Sequence, residues 1–329
     1  MEKLEYLLTD KELCFRMLRY MMLTRKFEEK VGIMFSQGKV HGTTHLCIGE
    51  EATGTGTTFA LKKEDYIYAS HRGHGQAIGK GIPIDLMMAE ILAKETGVNH
   101  GRGGSMHIAD FPSGVLGANG IMGASGPLAC GVGLYIKMKK IEDRIVAFFY
   151  GDGSSNLGDI HESMNLASTW KLPVMFVLNN NTYGMGTPLR AVVNDTDLTK
   201  RAIPYAMKSY EVDGNDVLAV YMTVTEAREY MIKNNEPVLI VEHTYRISGH
   251  SKSDGNLYRT KEEIAEWRQK DPILLFSKQL TENGYSQADI DDEETKATQI
   301  IENAIEYAMN SPEPVIYDFE SAAYAQQRG

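Results

Sequence analysis

Two polar clusters in this chain each follow an uninterrupted apolar run. Gly151-Asp152-Gly153 comes directly after Ile145-Val146-Ala147-Phe148-Phe149-Tyr150, and Asn179-Asn180-Asn181 directly after Val174-Met175-Phe176-Val177-Leu178. Runs of this length and composition read as strands buried on both faces, which is the signature of a parallel sheet. Between them, residues 156–170 are long enough for the crossover helix that two parallel strands require. In an open α/β sheet, ligands bind outside the carboxyl ends of the strands. Asp152 brings an anionic oxygen to such an end and Asn181 a neutral one. Hard oxygens of this kind suit Mg²⁺, which commonly binds one or two protein side chains together with phosphate oxygens. The same feature thus points to a doubly wound sheet, a divalent cation and a phosphorylated ligand.

The rest of the chain agrees with that architecture. Strand-like runs occur at 66–69, 145–150, 174–178, 210–212 and 238–243, with helical patterns at 85–95, 127–140, 156–170 and 217–233. Alternation of this kind predicts a doubly wound, mostly parallel α/β sheet with helices on both faces. Thr9 and Glu12 have capping-box spacing. They predict a long N-terminal helix over about 10–37, with Leu13, Met17, Met21, Phe27, Val31 and Met34 on its apolar side. Residues 261–310 read as a helical tail with Glu/Lys faces. With 329 residues, 43% of them hydrophobic, a single domain over 1–329 is expected.

A formal net charge of −10 argues against nucleic acid or an anionic membrane as a general partner. Cys14, Cys47 and Cys130 form no CxxC pair, so neither a disulfide framework nor a zinc site is expected, and a reducing cytoplasm fits. No secretion signal is recognised, and no run reaches membrane-spanning length.

Several motifs together resemble one family. Gly151-Asp152-Gly153, followed some thirty residues on by paired asparagines, resembles the thiamine diphosphate-binding motif. Either Asn179-Asn180 or Asn180-Asn181 could be the pair. The following Tyr183-Gly184-Met185-Gly186-Thr187 resembles the NN-x-YGMGT string of the alpha subunits of 2-oxo acid dehydrogenase E1 components, and selects Asn180-Asn181. Residues 41–52 resemble that family's HLCxGQEA segment, 101–107 its GKGGSMH, 117–123 its GxNGIVG, and 245–254 its TYRxxGHSxSD loop. The resemblance covers roughly residues 10–320.

The resemblance implies the thiamine diphosphate-binding fold and a set of roles. Asp152, Asn181 and the Tyr183 carbonyl would hold Mg²⁺. Gly151 and Gly153 would flank the metal-binding aspartate, and Gly120 and Met122 would contact the aminopyrimidine through their backbones. Met185 would prop the cofactor in its bent form. Arg72 would pair with diphosphate, with His71 and His74 as further donors; many members carry tyrosine at position 71, so this role is firmer for Arg72. His45 and His250 would lie near the reactive thiazolium as catalytic groups. The Gly101-Arg102-Gly103-Gly104 loop is a weaker candidate for ligand contact, and flexible loops look the same. The loop 247–257, polar and poor in apolar anchors, is expected to be mobile without ligand. Ser251 reads as a solvated loop serine.

For activity, the Ser70-His71-Arg72-Gly73-His74-Gly75 segment is most similar to the acetoin dehydrogenase branch. Pyruvate or branched-chain 2-oxo acid dehydrogenation is the alternative, and a non-catalytic thiamine- or nucleotide-binding module the reading from another class. The family places the glutamate that activates the cofactor on a beta subunit, so Glu50 and Glu51 are only superficial candidates. The resemblance therefore implies an E1 beta partner in an α2β2 heterotetramer, delivery to a lipoyl-bearing E2 acyltransferase, and a small-molecule substrate.

Overall fold

The computed structural model describes residues 2–315. Two helices open it, α1 (Glu2–Thr9) and α2 (Lys11–Ser36), followed by α3 (Glu51–Ala60), β1 (Tyr66–Ala69), α4 (His74–Lys80) and α5 (Ile84–Ile91). Then come β2 (Val115–Ala118), α6 (Ser125–Met138), β3 (Val146–Gly151), α7 (Gly158–Trp170) and β4 (Val174–Asn180). A small hairpin, β5 (Tyr183–Gly184) and β6 (Thr187–Pro188), leads to β7 (Lys208–Asp213), α8 (Val217–Asn234) and β8 (Val238–His243). Three helices follow: α9 (Lys261–Arg268), α10 (Pro272–Glu282) and α11 (Gln287–Asn310).

The sheet has six strands in the order β2-β1-β3-β4-β8-β7, and every pairing is parallel. Its central strands separate their side chains between two cores, as a period of two requires. Ala147, Phe149, Met175, Val177, Val238 and Ile240 join the core made with α2, α5, α8 and α11. Val146, Phe148, Tyr150, Val174, Phe176, Leu178, Leu239 and Val241 join the core made with α6 and α7. Both faces are therefore covered, and no helix among the described residues is long and apolar enough to cross a membrane.

The N-terminal helix begins later than its capping-box spacing suggests. Asp10 is the cap and accepts the Leu13 amide at 3.0 Å, whereas the Thr9 hydroxyl turns back to the Tyr6 carbonyl and closes α1. Sequence patterning also misses α3, α4 and β2. α3 reads EATGTGTTFA, in which threonine and glycine are poor helix formers. Close packing makes it a helix all the same: a Cβ on Gly56 would meet Val220 at 2.7 Å, and one on Gly54 the Gly75 backbone at 2.9 Å.

The Gly101-Arg102-Gly103-Gly104 loop holds an anion, but an internal one. Glu90, fully buried on α5, accepts the amides of Asn99, Gly101, Gly103 and Gly104 at 2.8, 2.9, 2.7 and 3.0 Å. Those amides are thereby committed to the fold and are not free for a ligand. Glu90→Ala would leave all four without an acceptor. At about 1–3 kcal/mol for each unsatisfied buried group, the loss should be about 3 kcal/mol or more, read as a lower urea midpoint. A midpoint close to the unaltered chain's would mean that water or a neighbouring group replaces the carboxylate.

Candidate active site

The carboxyl ends of β1, β3, β4 and β8 converge on a cleft of about 600 Å³. His71 and Arg72 reach it from beyond β1, Gly151, Asp152 and Gly153 from β3, and Asn181, Tyr183 and Met185 from beyond β4. Arg246 and His250 enter from the segment after β8, and Met122 from the turn before α6.

Two contacts set this geometry. The first joins β3 to the hairpin. A Cβ on Gly153 would stand 3.0 Å from the Gly184 Cα, and one on Gly184 would stand 3.1 Å from the Gly153 Cα. Only paired glycines let the two backbones approach so closely. The second joins β4 to the start of α3. Asn179 Nδ2 donates to Thr53 Oγ1 at 3.1 Å, and Asn181 Nδ2 to Glu50 Oε1 at 2.5 Å. Asn180 points the other way and pairs with His243 Nδ1 at 3.1 Å.

The result is a pair of oxygens without protein partners. Asp152 Oδ2 and Asn181 Oδ1 are both buried and accept no hydrogen bond, and both residues face the cleft. Unpaired buried oxygens are costly unless something else satisfies them. Burial pushes the Asp152 carboxyl up to about 6, although nearby amides and the Arg246 charge oppose that shift. A small divalent cation would satisfy both oxygens, so the donor set fits Mg²⁺.

Around the opposite wall stand three imidazoles. The His45 ring lies 4.7 Å from that of His71 and 4.8 Å from that of His250, in edge-to-face contact. Burial, then the Arg72 charge, lowers His45 to about 3 and His250 to about 4, and holds His71 well below the ordinary histidine range. All three are neutral near pH 7. Arg246 Nη1 meets His250 Nδ1 at 3.0 Å. A guanidinium can only donate, so Nδ1 accepts and the neutral ring carries its proton on Nε2. Nitrogens of the three rings lie within 4.8 Å of one another, a spacing suggestive of a metal cluster. The Arg72 and Arg246 charges beside them oppose a cation at that place.

Arg72 is buried, with Nη1 on the Leu46 carbonyl at 2.6 Å and Nη2 on the His250 carbonyl at 2.8 Å. Each terminal nitrogen keeps a second N–H, and the residue still lines the cleft. Met185 occupies the first position of the two-residue hairpin turn with φ +56° and an exposed side chain. Such a backbone is uncommon outside glycine and asparagine. Its carbonyl accepts from Arg246 Nη2, which ties the turn to the segment after β8.

Three expected contacts lie elsewhere. His74 begins α4 and is fully buried away from the cleft, with Nδ1 at 2.9 Å from Glu28 Oε2 and Nε2 at 3.0 Å from Ser105 Oγ. Gly120 packs against the His107 ring and is not part of the cleft wall. His45 stands behind His71 and His250. Glu51 is paired with Arg25 at 2.5 Å, with its other oxygen on the Gly49 amide at 3.0 Å. The loop 247–257 has polar anchors beyond the buried Ile247: Asp254 accepts the His250 amide and the Tyr258 hydroxyl, both at 2.7 Å. Arg246 is a cleft residue to which the sequence reading gave no role; an arginine shortly after a buried-strand run was the available signal.

A family model described as dehydrogenase E1 component matches residues 19–317. The chain belongs to the dehydrogenase E1 component family. It is 42% identical over 313 residues to the alpha subunit of acetoin:2,6-dichlorophenolindophenol oxidoreductase from Bacillus subtilis, covering 95% of this chain and 93% of that one. It is 36% identical over 305 residues to the pyruvate dehydrogenase E1 component subunit alpha of Rickettsia bellii, covering 92% and 93%. The corresponding subunit of Porphyra purpurea is 35% identical over 312 residues, covering 93% and 91%. As an E1 component the chain is a thiamine diphosphate-dependent oxidoreductase.

The histidine cluster has a measurable consequence for this E1 component. A histidine whose folded-state value lies below its unfolded value of about 6.5 binds fewer protons when folded. The stability contributed by His45 and His250 is therefore fully present above about pH 6.5 and is lost as pH falls through 4 towards 3. Thermal unfolding should show a falling midpoint across that window, and His45→Gln should flatten the fall. An unchanged slope in the variant would show that His45 protonates freely in the native state.

Proposed function

We propose that this chain is the alpha subunit of an acetoin-cleaving E1 component that works with Mg²⁺ and a beta subunit. The cofactor half of the reading is carried by one observation: two buried oxygens, on Asp152 and Asn181, lack partners at one cleft. The substrate half draws support from the 42% identity to the acetoin oxidoreductase alpha subunit. Pyruvate is the second reading, favoured by the 36% identity to a pyruvate dehydrogenase alpha subunit.

Asp152 and Asn181, joined by the Tyr183 carbonyl, would hold Mg²⁺ against diphosphate oxygens. Arg72 offers its remaining N–H groups to the same anion, with His71 beside it. Met122 and Met185 bound the space left for the rings. When bound, thiamine diphosphate supplies the electron sink for cleaving a carbon–carbon bond next to a carbonyl. His250 presents an Nε2–H, oriented by Arg246, and donates a hydrogen bond to a substrate oxygen. His45 packs edge-on against that imidazole. Neutral rings in this position can accept or return a proton without first losing one to solvent. The beta subunit would supply the group that activates the cofactor, and a lipoyl-bearing E2 would take the product, in an α2β2 assembly.

The test is co-purification with the cognate beta subunit and an artificial electron acceptor. Acetoin should exceed pyruvate in kcat/KM by about tenfold or more; the reverse preference moves the chain to the second reading. The chain alone should turn over neither. Asp152→Ala should abolish Mg²⁺-dependent cofactor binding in calorimetry while the thermal midpoint holds. Unchanged cofactor affinity in that variant would remove Asp152 from the metal site.

A further inference from the structure

We propose that His71 is the general base that takes the hydroxyl proton of acetoin, and so selects acetoin over a 2-oxo acid; this rests on the acetoin reading above. The two substrates differ by one proton. A 2-oxo acid loses its carboxylate as CO₂, with no O–H bond to break. Acetoin can part only if the hydroxyl on the departing carbon gives up its proton. In that step the O–H bond breaks and the proton moves to an imidazole nitrogen. The oxygen's freed pair forms the C=O of acetaldehyde, the carbon–carbon bond breaks, and its pair passes to the electron sink that thiamine diphosphate supplies. The imidazolium returns its proton to water once acetaldehyde has left. A site for acetoin therefore needs an uncommitted lone pair that a site for pyruvate does not.

Of the three rings, His71 offers that lone pair at the cleft. His250 lines the cleft, but Arg246 Nη1 occupies its Nδ1 at 3.0 Å, so the neutral ring carries its hydrogen on Nε2 and can only donate there. His45 has an unpartnered Nδ1 but is not part of the cleft wall. His71 lines the cleft, its Nδ1 is buried without a partner, and no described residue hydrogen-bonds either of its nitrogens. A neutral imidazole has one N–H and one lone pair. No neighbour dictates which nitrogen of His71 holds which, so the lone pair is free for a hydroxyl.

The two cleft rings divide the work. Their centroids are 5.7 Å apart with the planes tilted by 41°, and a nitrogen of each lies within 4.8 Å of the other. Acetoin carries its two oxygens on adjacent carbons. One molecule can therefore set its carbonyl oxygen at the His250 donor and its hydroxyl at His71. Burial, then the Arg72 charge, with His45, His250 and Arg246 also facing the ring, keeps His71 unprotonated before substrate arrives. Diphosphate on Arg72 would offset the nearest of those charges and let the ring hold a proton while the bond breaks. A tyrosine, which many members of the family carry at this position, keeps its hydroxyl protonated near neutral pH and is no comparable base.

The experiment uses the full chain purified with its beta subunit, saturated with thiamine diphosphate, with an artificial electron acceptor and either acetoin or pyruvate. Calorimetry on the same preparations reads cofactor affinity. In His71→Tyr and in His71→Gln, kcat for acetoin should fall by about a hundredfold or more, the low end of general-base catalysis. Any fall with pyruvate should be smaller by about tenfold or more. The dissociation constant for thiamine diphosphate should stay within about fivefold, so that lost turnover is not lost cofactor. A kcat for acetoin within about threefold of the unaltered protein's in His71→Gln overturns the inference, and decides the matter if His71→Tyr does not fold. Equal losses with both substrates, together with cofactor binding weakened by about tenfold or more, overturn it too and leave His71 as a diphosphate contact alone. The unaltered protein separates the two claims. If it cleaves acetoin and His71→Gln does so equally well, only the role of His71 falls; if it turns over pyruvate and not acetoin, the acetoin reading falls and takes the base with it.

Discussion

Two backbones in contact make the site possible. The turn after β3 and the hairpin after β4 meet at Gly153 and Gly184, where a Cβ on either would stand about 3 Å from the other's Cα. Parallel strands alone bring Asp152 and Asn181 to the same edge of the sheet. They do not fix how far apart the following loops travel. The glycine contact closes that freedom, and the hairpin it anchors then presents Tyr183 and Met185 to the same space. Arg246 adds a third tie by donating to the Met185 carbonyl while it orients His250. The Asp152–Asn181 end and the imidazole end of the cleft are therefore one connected structure.

Within this structure the charges are arranged unevenly. The Asp152–Asn181 end has oxygens with no protein partner, while the imidazole end has two guanidiniums and three rings kept neutral by burial and by those guanidiniums. An anionic group in the cleft would meet the guanidiniums directly, and the Asp152 and Asn181 oxygens only through a cation held between them.

Much of this was legible in the chain, and what was not has local causes. β3 and β4 were plain because continuous apolar runs ended in polar clusters, and the family resemblance then assigned Asp152 and Asn181. α3 was hidden because its threonines and glycines oppose a helix unless neighbours press on both sides. The glycine loop at 101–104 stayed ambiguous because nothing nearby announces that Glu90 would fill it. The orientation of His250 depends on Arg246, whose second partner, Met185, lies 61 residues away in sequence. Pairings over such separations are set by the fold and leave no periodic trace.

The alternation along Asn179-Asn180-Asn181 has a consequence for how this strand can vary over time. Asn179 and Asn181 turn towards α3, and Asn180 turns towards His243. A strand's two-residue period means that one inserted or deleted residue would exchange these faces and carry the Asn181 oxygen out of the cleft. Its apolar residues, by contrast, need only remain apolar and of similar volume. Descendants of this chain are free to rewrite most of the letters of β4, but its length is inherited whole.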